Sequence, residues 1–222
     1  MPINTYSPDF QTRPITPAEW QENATGKLST IPGFWEEGGQ GTNLAEHGVT
    51  AYGAFWREKM VGYVGVRAVT MGVITPTTRA ALQRLLMVRR TPSVLAISPT
   101  SMAAIEQRPD PLPDTVVAFN LAHALVAERG QGVGTALMDT ALNHVGQFAT
   151  PETPMPAYFT VAASNPAMGL YRRGGFEELT VDGKVYSKQH QYYQPPDESG
   201  NFAPPVTTDH VFMGTVVEGP LQ

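Results

Sequence analysis

Apolar and polar positions alternate between residues 48 and 67. Val49, Ala51, Gly53 and Phe55 share one side of an extended chain, and Thr50, Tyr52, Ala54 and Trp56 share the other. A period of two predicts a strand. After Arg57-Glu58-Lys59 a second β-rich run covers 60–66, so the pair predicts a hairpin. Upstream, Thr16-Pro17-Ala18-Glu19 predicts a helix start, with a Thr cap, Pro in the first turn and then an acid, running to about Gly26. At Thr75-Pro76 the period changes. TTRAALQRLLMVRR predicts a helix with Leu82, Leu85 and Leu86 on one face. A short strand at 94–97, a short helix from Ser98-Pro99 and a Pro-rich break at 108–114 follow, and 70–113 reads as an inserted helical segment. From Thr115 the order is sharper: a long buried strand TVVAFNLAHALV, a Gly-rich turn, a helix TALMDTALNHVG, a strand YFTVAA and a short capped helix in SNPAMGLYRRGGF. GKVYSK and DHVFMGTVV predict two last strands, with a long polar, Pro-rich loop over 187–209 between them. No repeat and no boundary interrupts the chain, so 1–222 reads as a single domain.

Composition narrows the chemistry. The 222 residues include no Cys, which excludes disulfides, zinc–thiolate sites, iron–sulfur clusters and thiol nucleophiles. The net charge of −5 disfavours general nucleic-acid binding, which needs clustered positive charge. Arg79, Arg84, Arg89 and Arg90 give one segment a basic bias, read either as a solvated helix face or as a contact for a phosphate or an acidic partner. The first twenty residues lack a basic start followed by an apolar run, and no apolar stretch approaches the ~20 residues of a membrane helix. The expectation is a cytoplasmic protein with no membrane contact. His47, His144, His190 and His210 show no ligand spacing, so no metal is expected. No G-x-S-x-G frame is present.

The stretch Arg129-Gly130-Gln131-Gly132-Val133-Gly134-Thr135 lies between a strand and an amphipathic helix carrying Leu137, Ala141, Leu142 and Val145 at helical spacing. Alternating glycines let the backbone turn tightly and expose N–H groups at a helix N-terminus, which suits a phosphate or pyrophosphate. The spacing fits neither the dinucleotide fingerprint nor the nucleotide P-loop, which needs a Lys after its last Gly. In the second block Asn165 is placed to cap a helix, Pro166 to occupy its first turn, and Gly174 or Gly175 to end it.

Taken in order, ERGQGVGTALM, a strand and SNPAMGLYRRGGFEE resemble the GNAT superfamily of N-acetyltransferases. Arg129, Gly132 and Gly134 carry the family's acyl-CoA motif, [Q/R]-x-x-G-x-[G/A]. Ala167, Leu170, Tyr171, Gly175 and Phe176 carry its second block, in which Ser164 stands at the usual Asn position and Asn165 one residue later. The resemblance spans about 115–180, extends weakly to 209–217, and is absent over 70–113. It implies an α/β (α+β) fold: a mixed, splayed central sheet flanked by helices. It also implies that acetyl-CoA, or another acyl-CoA, is the co-substrate. The backbone of Ala124, Leu125 and Val126 would pair with the pantetheine arm. The amides of Arg129, Gly130, Gly132, Val133, Gly134 and Thr135 would cradle the pyrophosphate, and Asn165 would bond the cofactor. Tyr171 matches the usual general acid, with a plain core aromatic as its other reading. His123 is the candidate general base, with a buried, hydrogen-bonded imidazole as the alternative. The family's usual Pro before the loop is missing. The implied activity is acyl transfer to a primary amine, on a small molecule or a basic peptide. Without Cys, the amine would attack directly in a ternary complex. A non-catalytic acyl-CoA-binding module and an enzyme for nucleic-acid-linked amines are the rival readings. The 187–209 loop, with its aromatics and acids, reads as acceptor contact or as a homodimer contact.

Overall fold

The structure, a computed structural model, describes residues 10–16, 18–19, 49–56, 58–90, 117–126, 131–192 and 206–221. The first five strands are β1 (Phe10–Pro14), β2 (Val49–Trp56), β3 (Lys59–Thr70), β4 (Val117–Val126) and β5 (Met155–Ala162). After them come β6 (Glu177–Glu178), β7 (Thr180–Val181), β8 (Lys184–Val185), β9 (Ser187–Tyr192) and β10 (Val206–Val217). The helices are α1 (Pro76–Arg90), α2 (Val133–Gly146) and α3 (Met168–Arg173). An eight-stranded sheet runs β1-β2-β3-β4-β5-β10-β6, with β9 also paired to β10, and β7–β8 form a separate ribbon. Every pair in the large sheet is antiparallel except β4–β5, which is parallel. This is the mixed α+β architecture expected from the sequence.

Each face of the sheet has its own helical cover. On one face α2 contributes Val133, Leu137, Met138, Ala141, Leu142 and Val145 to a core shared with Val64, Val66, Phe119, Leu121, Phe159, Val161 and Met213. The apolar period read from 135–146 is therefore the buried stripe, as the 3.6-residue repeat requires. On the other face α1 buries Leu82, Leu85 and Leu86 with Met71, Ala118, Tyr158, Leu179 and Phe212. The helical part of the segment read as an insertion thus supplies this second core. The strand expected at 94–97 and the helix expected after Ser98 lie outside the described residues.

Local chemistry explains the joins. Trp56 pairs with Lys59, so the β2–β3 turn has two residues rather than three, and Glu58 takes φ 66° there. Thr16 and Glu19 form a reciprocal capping box: Thr16 N–H donates to Glu19 Oε2 at 2.9 Å, and Glu19 N–H donates to Thr16 Oγ1 at 3.2 Å. The continuation of that helix toward Gly26 lies outside the described residues.

Three expectations are corrected. FQTRP at 10–14 forms β1, although sheet was expected only from 48 onward; its ladder with β2 supplies what its polar composition does not. The loop expected over 187–209 is strand at both ends, because β9 pairs with β10 from Ser187↔Val211 to Tyr192↔Val206. Positions 193–205 lie outside the described residues. Ser187, Lys188 and Gln189 are exposed, as suits a polar edge strand that needs only a partner's backbone. Finally, Asn165 is not the helix cap: α3 begins at Met168 with Ala167 at the cap position.

The end of α2 is closed by backbone. Gly146 is buried, and a Cβ on it would lie 2.6 Å from Gly219 O and 2.7 Å from Pro220 Cα. Leu221 N–H donates to Asn143 Oδ1 at 2.8 Å and fixes the same contact. Gly146→Ala should lower unfolding stability by about 1–3 kcal/mol, because no flexible side chain is there to yield. Chemical denaturation of the two proteins measures it.

His144, in the last turn of α2, is seated among aromatics. Its Nδ1 is 2.8 Å from the Tyr52 hydroxyl, and its ring centroid lies 6.0 Å from Phe119 and 5.4 Å from Phe148. Burial lowers its pKa below the ordinary 6.5. The unfolded chain therefore takes up this proton first. The stability is complete above pH ~6.5 and declines as pH falls toward the lower folded value. Denaturant midpoints should drop between pH 7 and pH 5, and drop less in His144→Gln.

Among the described residues no helix is long and apolar enough to cross a membrane.

Candidate active site

The parallel strands at the centre of the sheet part company. β4 and β5 pair only at Phe119↔Ala157 and Asn120↔Tyr158. Beyond that point β4 stays laddered to β3 as far as Gly62↔Val126, and β5 stays laddered to β10 as far as Ala162↔His210. The sheet therefore opens as a wedge between the C-terminal halves of β4 and β5. A bulge assists it: Gly65 pairs with His123 but Val66 with Leu121, leaving Ala122 as the extra residue on β4. Bulges bend the strand that carries them. His123, Ala124, Leu125 and Val126 have their backbone on this opened arm; their side chains lie outside the described residues.

The Gly-rich turn follows at the same end. Arg129 and Gly130 lie outside the described residues. Gly132 caps α2 with φ 81° and ψ −3°, a left-handed conformation that costs an L-residue roughly 1–2 kcal/mol. The first helical bond runs from Ala136 N–H to Gly132 O at 3.0 Å. The N–H groups of Val133, Gly134 and Thr135 are thus those that a helix start leaves without an intrahelical acceptor. No acid sits in this first turn, and Val133, 1% exposed, anchors it in the core. An anion is favoured there by the N–H groups and the helix dipole together. A wedge lined by backbone, ending at such a turn, fits a long amide-bearing chain that terminates in a pyrophosphate.

The other arm of the wedge carries the second block. Asn165 Oδ1 accepts from Ala167 N–H at 2.8 Å, which organises the turn between β5 and α3. At the far end Phe176 N–H donates to Tyr171 O at 3.0 Å and Gly175 N–H to Arg172 O at 3.1 Å, with Gly175 at φ 83°. These are the two bonds of a Schellman ending, with Gly175 at the position that favours glycine. Tyr171 is 8% exposed and its ring lies edge-on to Phe159, centroids 4.7 Å apart. Phe159 is the first β5 residue beyond the last β4–β5 pair, so Tyr171 packs on the β5 wall of the wedge.

One feature was not read from the sequence. Arg67, Asn120, Tyr158 and Gly214 form a row across β3, β4, β5 and β10, at the point where the wedge begins. Tyr158 packs against α1, and residues in one cross-strand row share a face, so Arg67 lies on the α1 side as well. Burial raises the Tyr158 pKa, and the nearby Arg67 charge opposes that rise. The available signal was a lone charge within the apolar run of β3. Among the described residues no group of three or more His, Asp or Glu could hold a metal ion.

A scan against protein-family models and a search of curated proteins gave no match. Solved structures did match. Arabidopsis thaliana NAA60 in complex with a bisubstrate analogue aligns with TM-score 0.52 and 16% identity over 95% of this chain and 99% of that one. The ribosomal-protein-S18-alanine N-acetyltransferase from Escherichia coli gives 0.48 and 14% over 94% of each chain. A GNAT-family acetyltransferase from Streptococcus pneumoniae gives 0.48 and 14% over 94% and 99%. The fold assignment rests on the first of these and on the element order and strand register described above. By that likeness, and by its wedge-split mixed sheet, the chain has the fold of the GNAT N-acetyltransferases.

Proposed function

We propose that this protein is an N-acyltransferase that moves an acetyl group from acetyl-CoA to a primary amine within a ternary complex. The observation that carries the reading is the coincidence of two features: a wedge in the sheet and the left-handed Gly132 turn at its open end. When bound, acetyl-CoA supplies the activated acyl carbon. The β4 backbone at Ala124, Leu125 and Val126 pairs with the amides of its arm. The N–H groups of 132–135, with Arg129 and Gly130 before them, hold its pyrophosphate. The Asn165 amide group stands at the β5 edge for a further hydrogen bond. His123 takes a proton from the incoming ammonium, so that the nitrogen attacks as a free amine. As the C–S bond breaks, the Tyr171 hydroxyl gives a proton to the departing sulfur, which leaves as a thiol, and the new amide nitrogen gives up its second proton, which restores the tyrosine. With no Cys in the chain, there is no thiol to carry the acyl group between donor and amine.

The test is calorimetric titration with acetyl-CoA, followed by thiol release across a panel of amines. Micromolar binding with amine-dependent thiol release supports the enzyme. Binding with no release on any amine leaves an acyl-CoA-binding module. No binding removes the reading altogether.

A further inference from the structure

Among the described residues Arg67 has no counter-ion, and it stands at the closed end of the wedge. It sits in β3, opposite Asn120 and one strand removed from Tyr158, the last pair before the wedge opens. Its Nε is buried and has no hydrogen-bond partner, and no ion pair to it occurs among the described residues. A buried guanidinium Nε in that state is costly, because that N–H has lost water without gaining an acceptor. Strand spacing puts Arg67 and Tyr158 backbones about 10 Å apart across β4. The side chain shares the α1 face with Tyr158 by its place in the same cross-strand row, whereas the Gly132 turn belongs to α2, whose core lies on the opposite face. Arg67 is therefore not placed to neutralise a pyrophosphate held at that turn. It stands on the other face, beside the closed end of the wedge.

We propose that Arg67 binds a carboxylate of the acceptor, so that the substrates are small amines bearing a carboxylate, such as simple amino acids. This rests on the acyltransferase reading above. A guanidinium presents two parallel N–H donors that match a carboxylate in a fork. A polyamine or a basic peptide would instead bring like charge toward it. The inference thus narrows the acceptor class expected from the sequence. The carboxylate would occupy the closed end of the wedge and the amino group the open end, one to a few carbons away.

The experiment compares glycine, β-alanine and 4-aminobutyrate with their amides, by thiol release, in wild type, Arg67→Met and Arg67→Lys. Acetyl-CoA binding is titrated in the same preparations. The expected result is that kcat/KM favours at least one acid over its amide by about ten- to a hundredfold in wild type. Arg67→Met loses that preference, Arg67→Lys keeps part of it, and all three bind acetyl-CoA equally. Arg67→Met should also melt no lower than wild type, since it removes an unpaired charge; a purely structural arginine would melt lower. The proposal is overturned if amides react as well as acids, if Arg67→Met keeps the preference, or if acetyl-CoA binds and no acid in the series reacts. Absent acetyl-CoA binding in wild type, seen separately by calorimetry, defeats the acyltransferase reading and this proposal with it.

Discussion

Gly132→Glu is expected to abolish acetyl-CoA binding, with a loss of at least about a hundredfold. Two effects act together. The residue has φ 81°, which any side chain strains by roughly 1–2 kcal/mol. A carboxylate would also be introduced where the first-turn N–H groups of α2 are to receive a pyrophosphate. Like charges brought together cost several kcal/mol, and each 1.4 kcal/mol is tenfold in affinity. Gly132→Ala separates the two: it carries the strain and not the charge. Its stability should fall by about 1 kcal/mol while most of the binding survives. Titration calorimetry and thermal melting read both quantities. If Gly132→Glu still binds within a few-fold of wild type, the pyrophosphate is not at this turn.

Tyr171→Phe is expected to lower kcat by about 10²–10⁴-fold, the usual weight of a general acid. Its KM should stay near that of wild type, since the hydroxyl acts on the leaving group and not on substrate binding. The substitution preserves the ring that packs on Phe159, so the fold should lose no more than about 1 kcal/mol. Tyr171→Ala cannot serve, because emptying an 8%-exposed core position costs about 3–5 kcal/mol on its own. A Tyr171→Phe enzyme with kcat within twofold of wild type would mean that Tyr171 is only a core ring.

What the sequence made legible was local. Of the alternating glycines read as a tight turn, Gly132 is left-handed, and of the two glycines offered as the helix ending, Gly175 is. Leu137, Ala141, Leu142 and Val145 announce a helix face, and all four are buried. Strands whose reason for existing lies in a partner were missed. FQTRP and SKQHQY have little apolar surface to bury, and each is extended because a neighbour's ladder receives it. The wedge was legible only through the family resemblance, because strand parting is a property of register and not of composition. Arg67 escaped for a related reason: it sits in an ordinary hairpin strand and acquires its setting from β4 and β5, far along the chain.

Two ladder pairs are a thin seam between half-sheets, one built from β1–β4 and the other from β5 and β10. On one face the seam is spanned by α2, whose apolar stripe touches residues of both halves. The helix is thus a brace, and the gap's width is set by side-chain volume on its buried side rather than by hydrogen bonds along its edges. Shaving a methylene from Leu137 or Leu142 lets the halves settle closer, with no ligand-contacting group altered. The aperture available to an acyl chain is in that sense governed from behind the sheet, by residues that take no part in the chemistry.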